Sequence, residues 1–209
     1  MSAGCGHCVD TADINKSLRR ALWAVLIINA GMFLIEITAG VFAGSVSLQA
    51  DAVDFLGDSA SYAISLFVLS KSLRWRAGAA LIKGLSMGVF GLWILGTVIY
   101  TAMTSGTPDP MVMGWVGALA MLANLVAAFL LFRYRNGDAN MRSVWLCTRN
   151  DVLGNMAVVA AASGVFTTGS MWPDLGVAMI LATLALHSSV QILRHSIAEL
   201  QGSPVQTGG

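Results

Sequence analysis

Six apolar stretches fix the architecture before any motif is considered, because each is close to the roughly 20 residues a helix needs to cross the hydrocarbon core of a bilayer. They cover residues 21–42, 48–70, 82–103, 111–132, 143–167 and 175–193 of the 209-residue chain. Only 11% of the residues are charged, whereas 56% are hydrophobic. A soluble domain typically carries about 25% charged residues, so a cytosolic enzyme, a secreted domain and a disordered chain are all excluded. The net charge of +1 leaves no basic field for nucleic acid. Three cysteines make no disulfide framework. Exposed strand edges would leave backbone groups unpaired in lipid. The expected fold is therefore all-α: an integral membrane bundle of six transmembrane helices.

The punctuation agrees. Pro108, Pro110, Pro173 and Pro204 all fall outside the span interiors, and Trp75, Trp115, Trp145 and Trp172 fall near span ends, where interfacial anchors belong. Lys16, Arg19, Arg20, Lys71, Arg74, Arg76, Lys83, Arg133, Arg135, Arg142 and Arg194 all map to one side. The positive-inside rule makes that side, with both termini, cytoplasmic. The expected organisation is a cytoplasmic tail at residues 1–20, a transmembrane domain at 21–196 and a short cytoplasmic tail at 197–209. The polar start is no secretory signal.

Ionisable groups inside spans are expensive and mark function. Span one holds Glu36; span two holds Asp51, Asp54 and Asp58; span five holds Arg149 and Asp151. Asp54 and Asp58 are four apart and share a helix face, which Asp51 joins three residues earlier. Cys147 and Asp151 are also four apart. Antiparallel pairing of spans two and five brings Asp54 level with Asp151 and Asp58 level with Cys147. Four donors then converge, the number a tetrahedral ion takes. So many acids on facing helices repel unless protons or a cation neutralise them. A small cysteine is also ordinary packing material, so Cys147 reads either as a ligand or as packing. Asp51 reads as a proton relay or exit guide, or as a partner of Arg149 or of span one. Arg149 lies about 200° from Asp151 around the helix; it is either a counter-ion for Glu36 or Asp51, or a side chain reaching the interface. The N-terminal Cys5-Gly-His-Cys8 supplies three soft donors, Cys5, His7 and Cys8, as an accessory metal site or as an idle tail. His187 and His195 flank the end of span six; His187 reads as a packing or hydrogen-bonding residue and His195 as an interfacial one.

The run Ser45-Val-Ser-Leu-Gln-Ala-Asp-Ala-Val-Asp-Phe-Leu-Gly-Asp58 resembles the second span of the cation diffusion facilitator family of divalent-metal/proton antiporters, where Ala-Asp-Ala precedes His-x-x-x-Asp or Asp-x-x-x-Asp. Asn136-Gly-Asp-Ala-Asn-Met-Arg-Ser-Val-Trp-Leu-Cys-Thr-Arg-Asn-Asp-Val-Leu-Gly-Asn155 is similar to that family's fourth loop and fifth span. Trp172-Pro-Asp-Leu and His195-Ser-Ile-Ala-Glu-Leu are similar to the start and close of its sixth. The chain departs in carrying Asp54 where His is frequent and Cys147 where His is usual, and no cytoplasmic metal-binding domain is expected after span six.

The resemblance implies transport rather than enzymatic catalysis, with Asp54, Asp58, Cys147 and Asp151 as the metal site and no cofactor beyond the transported ion. It also implies a homodimer, here through the membrane spans, and a bundle of spans one, two, four and five with three and six paired beside it. Thiolate at Cys147 favours zinc and cadmium; three carboxylates without it favour manganese or ferrous iron. Metal binding to acids releases protons, which suits efflux in exchange for H⁺. The expected location is a bacterial inner membrane. Two other classes are weighed: an intramembrane enzyme using paired aspartates, and a metal sensor or assembly partner.

Overall fold

The computed structural model describes residues 11–67, 73–104, 106–134 and 139–201; the side chains of 11–15, 73, 76, 139–150 and 199 are outside the description. Six helices follow in order: α1 (Thr11–Ala43), α2 (Val46–Phe67), α3 (Leu73–Thr104), α4 (Pro110–Phe132), α5 (Ala139–Thr168) and α6 (Trp172–Leu200). Five of them contain segments long and apolar enough to cross a membrane: Lys16–Ala43, Ala77–Thr104, Pro110–Phe132, Asp151–Thr168 and Trp172–Ala198. The remaining helix, α2, has the length but not the uniform apolarity.

The packing supplies the reason. Among the described residues, α2 meets every one of the other five helices. It buries residues on all sides, from Val46 and Leu48 through Asp51 and Phe55 to Tyr62. A helix enclosed by protein need not be lipid-like. By contrast, the outer helices turn Phe42 (91% exposed), Met103 (80%) and Phe129 (80%) outward. Large apolar side chains this exposed suit lipid, not water.

α3 pairs most extensively with α6, while α1, α2, α4 and α5 pack among themselves. The α3–α6 seam depends on small residues. A Cβ on Gly88 would stand 2.8 Å from Ser189 Oγ, and Ser189 Oγ–H donates to the Gly84 carbonyl at 2.7 Å. Two apolar clusters bracket the middle of the bundle. One joins Val46, Val53, Ile94 and Ala178 near the start of α2. The other joins Leu22, Val25, Tyr62 and Leu131 near its end.

Prolines sit where their missing N–H costs nothing. Pro110 opens α4 behind the N-cap Asp109, whose carboxylate accepts from the N–H groups of Met111 and Val112. Pro173 stands in the first turn of α6. The main departure from the sequence reading is α3. It begins at Leu73, nine residues before the expected span, so Lys83 lies well inside a helix and not in its first turn.

The start of α2 is held from a distance. Gly44 turns the chain with φ of 68°. The buried carboxylate of Asp174, in the first turn of α6, then accepts from Ser45 Oγ–H at 2.7 Å, Val46 N–H at 2.8 Å, Ser47 N–H at 3.1 Å and Ser47 Oγ–H at 2.5 Å. Ser45 Oγ caps α2 locally, accepting from Leu48 N–H at 3.2 Å. Asp174 of α6 adds a second cap from a distance, and one negative charge serves the positive ends of two helix dipoles.

Candidate functional site

Seven residues into α2 from Ser47, about 10 Å along the axis, the polar groups change character. Asp54, Asp58 and Ser61 are spaced i, i+4 and i+7, so they form one stripe along α2. Asp151 of α5 sits against both Asp54 and Asp58. All three acids are half-buried. Tyr62 O–H donates to Asp58 Oδ2 at 3.3 Å. Asp151 Oδ2 is buried and has no hydrogen-bond donor. A bond between two carboxylates needs a shared proton or a cation, so the trio is chemically incomplete as a set of bare anions.

A second polar chain adjoins it on the side nearer the start of α2. Asn124 of α4 donates through Nδ2 to Asn155 Oδ1 at 3.0 Å, and Asn155 Nδ2 donates to Asp51 Oδ2 at 2.6 Å. Glu36 of α1 lies beside Asp51. It is fully buried, with neither carboxylate oxygen facing a donor. Four helices thus meet through polar groups in the midst of an apolar bundle. This places Asp51 against span one and α5; the side chain of Arg149, its other expected partner, lies outside the described residues.

The expected pairing of α2 with α5 brings Asp54, Asp58 and Asp151 together. The Cys147 side chain is outside the described residues, as are Cys5, His7 and Cys8. Among the described residues, no group of three or more His, Cys, Asp and Glu side chains is placed so as to hold a metal ion. The trio offers adjoining oxygens, not a finished coordination sphere. His187 shares a 2.9 Å contact with Gln191 on an exposed part of α6, and His195 is also exposed; both are remote in role from the acids.

Two contributors escaped the sequence reading. Lys83 of α3 is half-buried and hydrogen-bonds Ser61 Oγ, at the end of the acid stripe. Its ammonium is within electrostatic range of Asp54 and Asp58. A signal was available: Lys83 is followed by Gly84, Gly88 and Gly91, a helical spacing that belongs to a packed helix and not to a loop. The other is Asn155, one turn from Asp151 and therefore on its face.

Comparison with known proteins adds an independent line. Residues 22–201 match the cation efflux transmembrane domain family. The chain is 28% identical over 222 residues to the zinc transporter ZitB of Escherichia coli, covering 98% of this chain and 70% of that protein. It is 27% identical over 209 residues to a cadmium, cobalt and zinc/H(+)-K(+) antiporter of Bacillus velezensis, covering 90% and 65%. It is 25% identical over 218 residues to the metal cation efflux system protein CzcD of Cupriavidus metallidurans, covering 96% and 67%. The chain thus spans about two thirds of the length of these relatives.

Proposed function

This chain belongs to the cation efflux transmembrane domain family, a family of transporters and not of enzymes, and from that premise we propose that it exports zinc and cadmium across a bacterial inner membrane in exchange for protons. The observation that carries the reading is the convergence of Asp54 and Asp58 on Asp151, with a buried carboxylate oxygen that no donor satisfies. Such a place wants a cation. The names of the relatives supply zinc and cadmium as the first candidates.

In this reading Asp54, Asp58, Cys147 and Asp151 bind the ion. All six helices span the membrane, with both termini cytoplasmic, because the basic residues crowd that side. α2 counts as a span because its neighbours shield it. Each carboxylate loses its proton to bind metal, so loading expels protons. Rocking of the bundle exposes the site to the other face, where returning protons compete with the metal and release it. Asp51, joined to Glu36 and Asn155, lies one turn nearer the outer face and serves as proton relay or exit. A homodimer forms through the membrane helices. Three hard carboxylates are the observation that favours a second reading, manganese or ferrous iron, if Cys147 does not ligate.

Reconstituted vesicles carrying a pH-sensitive dye test the reading. Zinc addition is expected to drive proton movement, and Asp54→Ala or Asp151→Ala to abolish it. Zinc flux with no proton movement would remove the exchange mechanism, and undiminished flux in both variants would remove the site.

A further inference from the structure

Lys83 is the one described cation set among the acids of the site. It projects from α3 towards α2 and bonds Ser61, which continues the Asp54–Asp58 stripe by one more turn. It is half-buried at a depth where an ammonium is costly unless it answers a negative charge. The α3 seam explains its aim: the face that carries Gly84 and Gly88 is held against α6 through Ser189, which leaves the neighbouring face for α2.

Charge arithmetic gives this placement a meaning. Three ionised carboxylates, Asp54, Asp58 and Asp151, carry −3. A divalent ion and one ammonium offset all three, and a Cys147 thiolate in the set leaves −1. We propose that Lys83 is the resident counter-cation of the transport site: tethered by Ser61, it offsets one negative charge of the loaded site and holds its grip on the metal low enough for release. It acts on the ion through charge and touches no ligand role, so it is a positioning and affinity-setting residue. By the charge bias of the loops, the end of α2 it occupies is the cytoplasmic one, through which an exported ion enters.

Removing the charge has a signature that damage does not produce. Lys83→Gln keeps a donor for Ser61 but no charge. Without the repelling cation, the apparent KM for zinc and for cadmium falls by about tenfold, the scale of one unit charge at close range in a partly shielded site. The maximal rate falls as well, because release slows and the loaded site bears one more negative charge. Lys83→Arg keeps the charge and stays near wild type. Ser61→Ala alters KM in the wild-type background and adds nothing in Lys83→Gln, since it acts only through the ammonium.

This inference rests on the proposed cation-efflux reading, and the arms separate the two. The full chain is reconstituted, and initial zinc and cadmium fluxes are measured against concentration for wild type, Asp54→Ala, Lys83→Gln, Lys83→Arg and both Ser61 backgrounds. Abolished flux in Asp54→Ala with lowered KM and rate in Lys83→Gln supports the proposal. Abolished flux in Asp54→Ala with an unchanged or raised KM in folded Lys83→Gln overturns the counter-cation and leaves the efflux site standing. Full flux in Asp54→Ala overturns the site and the counter-cation together.

Discussion

The two halves of α2 treat carboxylates in opposite ways. At its start, Asp174 accepts four hydrogen bonds from two backbone N–H groups and two hydroxyls. About two and three turns further on, Asp54 and Asp58 face a third acid, and Asp151 Oδ2 and both oxygens of Glu36 lack any donor. A buried acceptor left unsatisfied costs about 1–3 kcal/mol. The first arrangement stabilises the fold, and the second, in the proposed reading, is completed by a cation. The difference separates residues that hold the bundle from residues proposed to use it.

The sharpest way to break this comparison is to neutralise one member of the trio. Asp151→Asn is expected to lower metal flux by about a hundredfold or more, since loss even of groups behind the ligands costs 10–100-fold. The same change is expected to leave thermal stability in detergent unchanged or raised, by about 1–3 kcal/mol if the unsatisfied carboxylate is a net cost in the metal-free protein. A matching loss of stability would show that the trio holds the fold as Asp174 does.

Asp174→Ala is the converse. It strands four donors at a helix start and is expected to cost about 2–4 kcal/mol, read as a fall in unfolding temperature. Asp174→Asn, which keeps one acceptor oxygen, is expected to fall between. KM for zinc in the folded fraction should hold near wild type; a large rise in KM with normal stability would erase the distinction between the two halves.

Smaller effects sharpen it. Asn155→Ala removes the donor to Asp51 and the acceptor for Asn124, and is expected to cost about 1–2 kcal/mol in the same unfolding assay. Stability at the wild-type level would mean that Asp51 belongs with the unsatisfied acids. Smallest of all, Cys147→Ser is expected to reduce cadmium flux about three- to fivefold more than manganese flux, because the change removes softness and little volume. Equal cadmium flux in wild type and Cys147→Ser would confine the site to oxygen donors.

Much of this was legible in the sequence, for identifiable reasons. Apolar length marked the helices, and the four-residue spacing of Asp54 and Asp58 placed them on one face. Three features resisted. α3 starts at Leu73 rather than near Ile82 because arginine and lysine stems can lie along a helix while their charges find water or an acid; a hydropathy window reads those charges as loop. That boundary set Lys83 at the very start of a span, among the basic residues of the interface. The role of Asp174 was hidden because its partners Ser45, Val46 and Ser47 are 127–129 residues away, so no local pattern announces the cap. The Glu36–Asp51 contact, weighed beside a pairing with Arg149, depended on which neighbour tertiary packing would choose.

The enclosure of α2 by all five other helices also bears on how the protein is made. An aspartate at the centre of an isolated span opposes insertion by about 3 kcal/mol, and α2 carries Asp51, Asp54 and Asp58. During synthesis it emerges after α1 but before the four helices that will complete its surroundings. In the proposed six-span reading its entry into the bilayer is therefore a collective act, which needs α1 beside it first and the later helices to close the remaining sides. The segment that carries the proposed site is then the one that depends most on its neighbours.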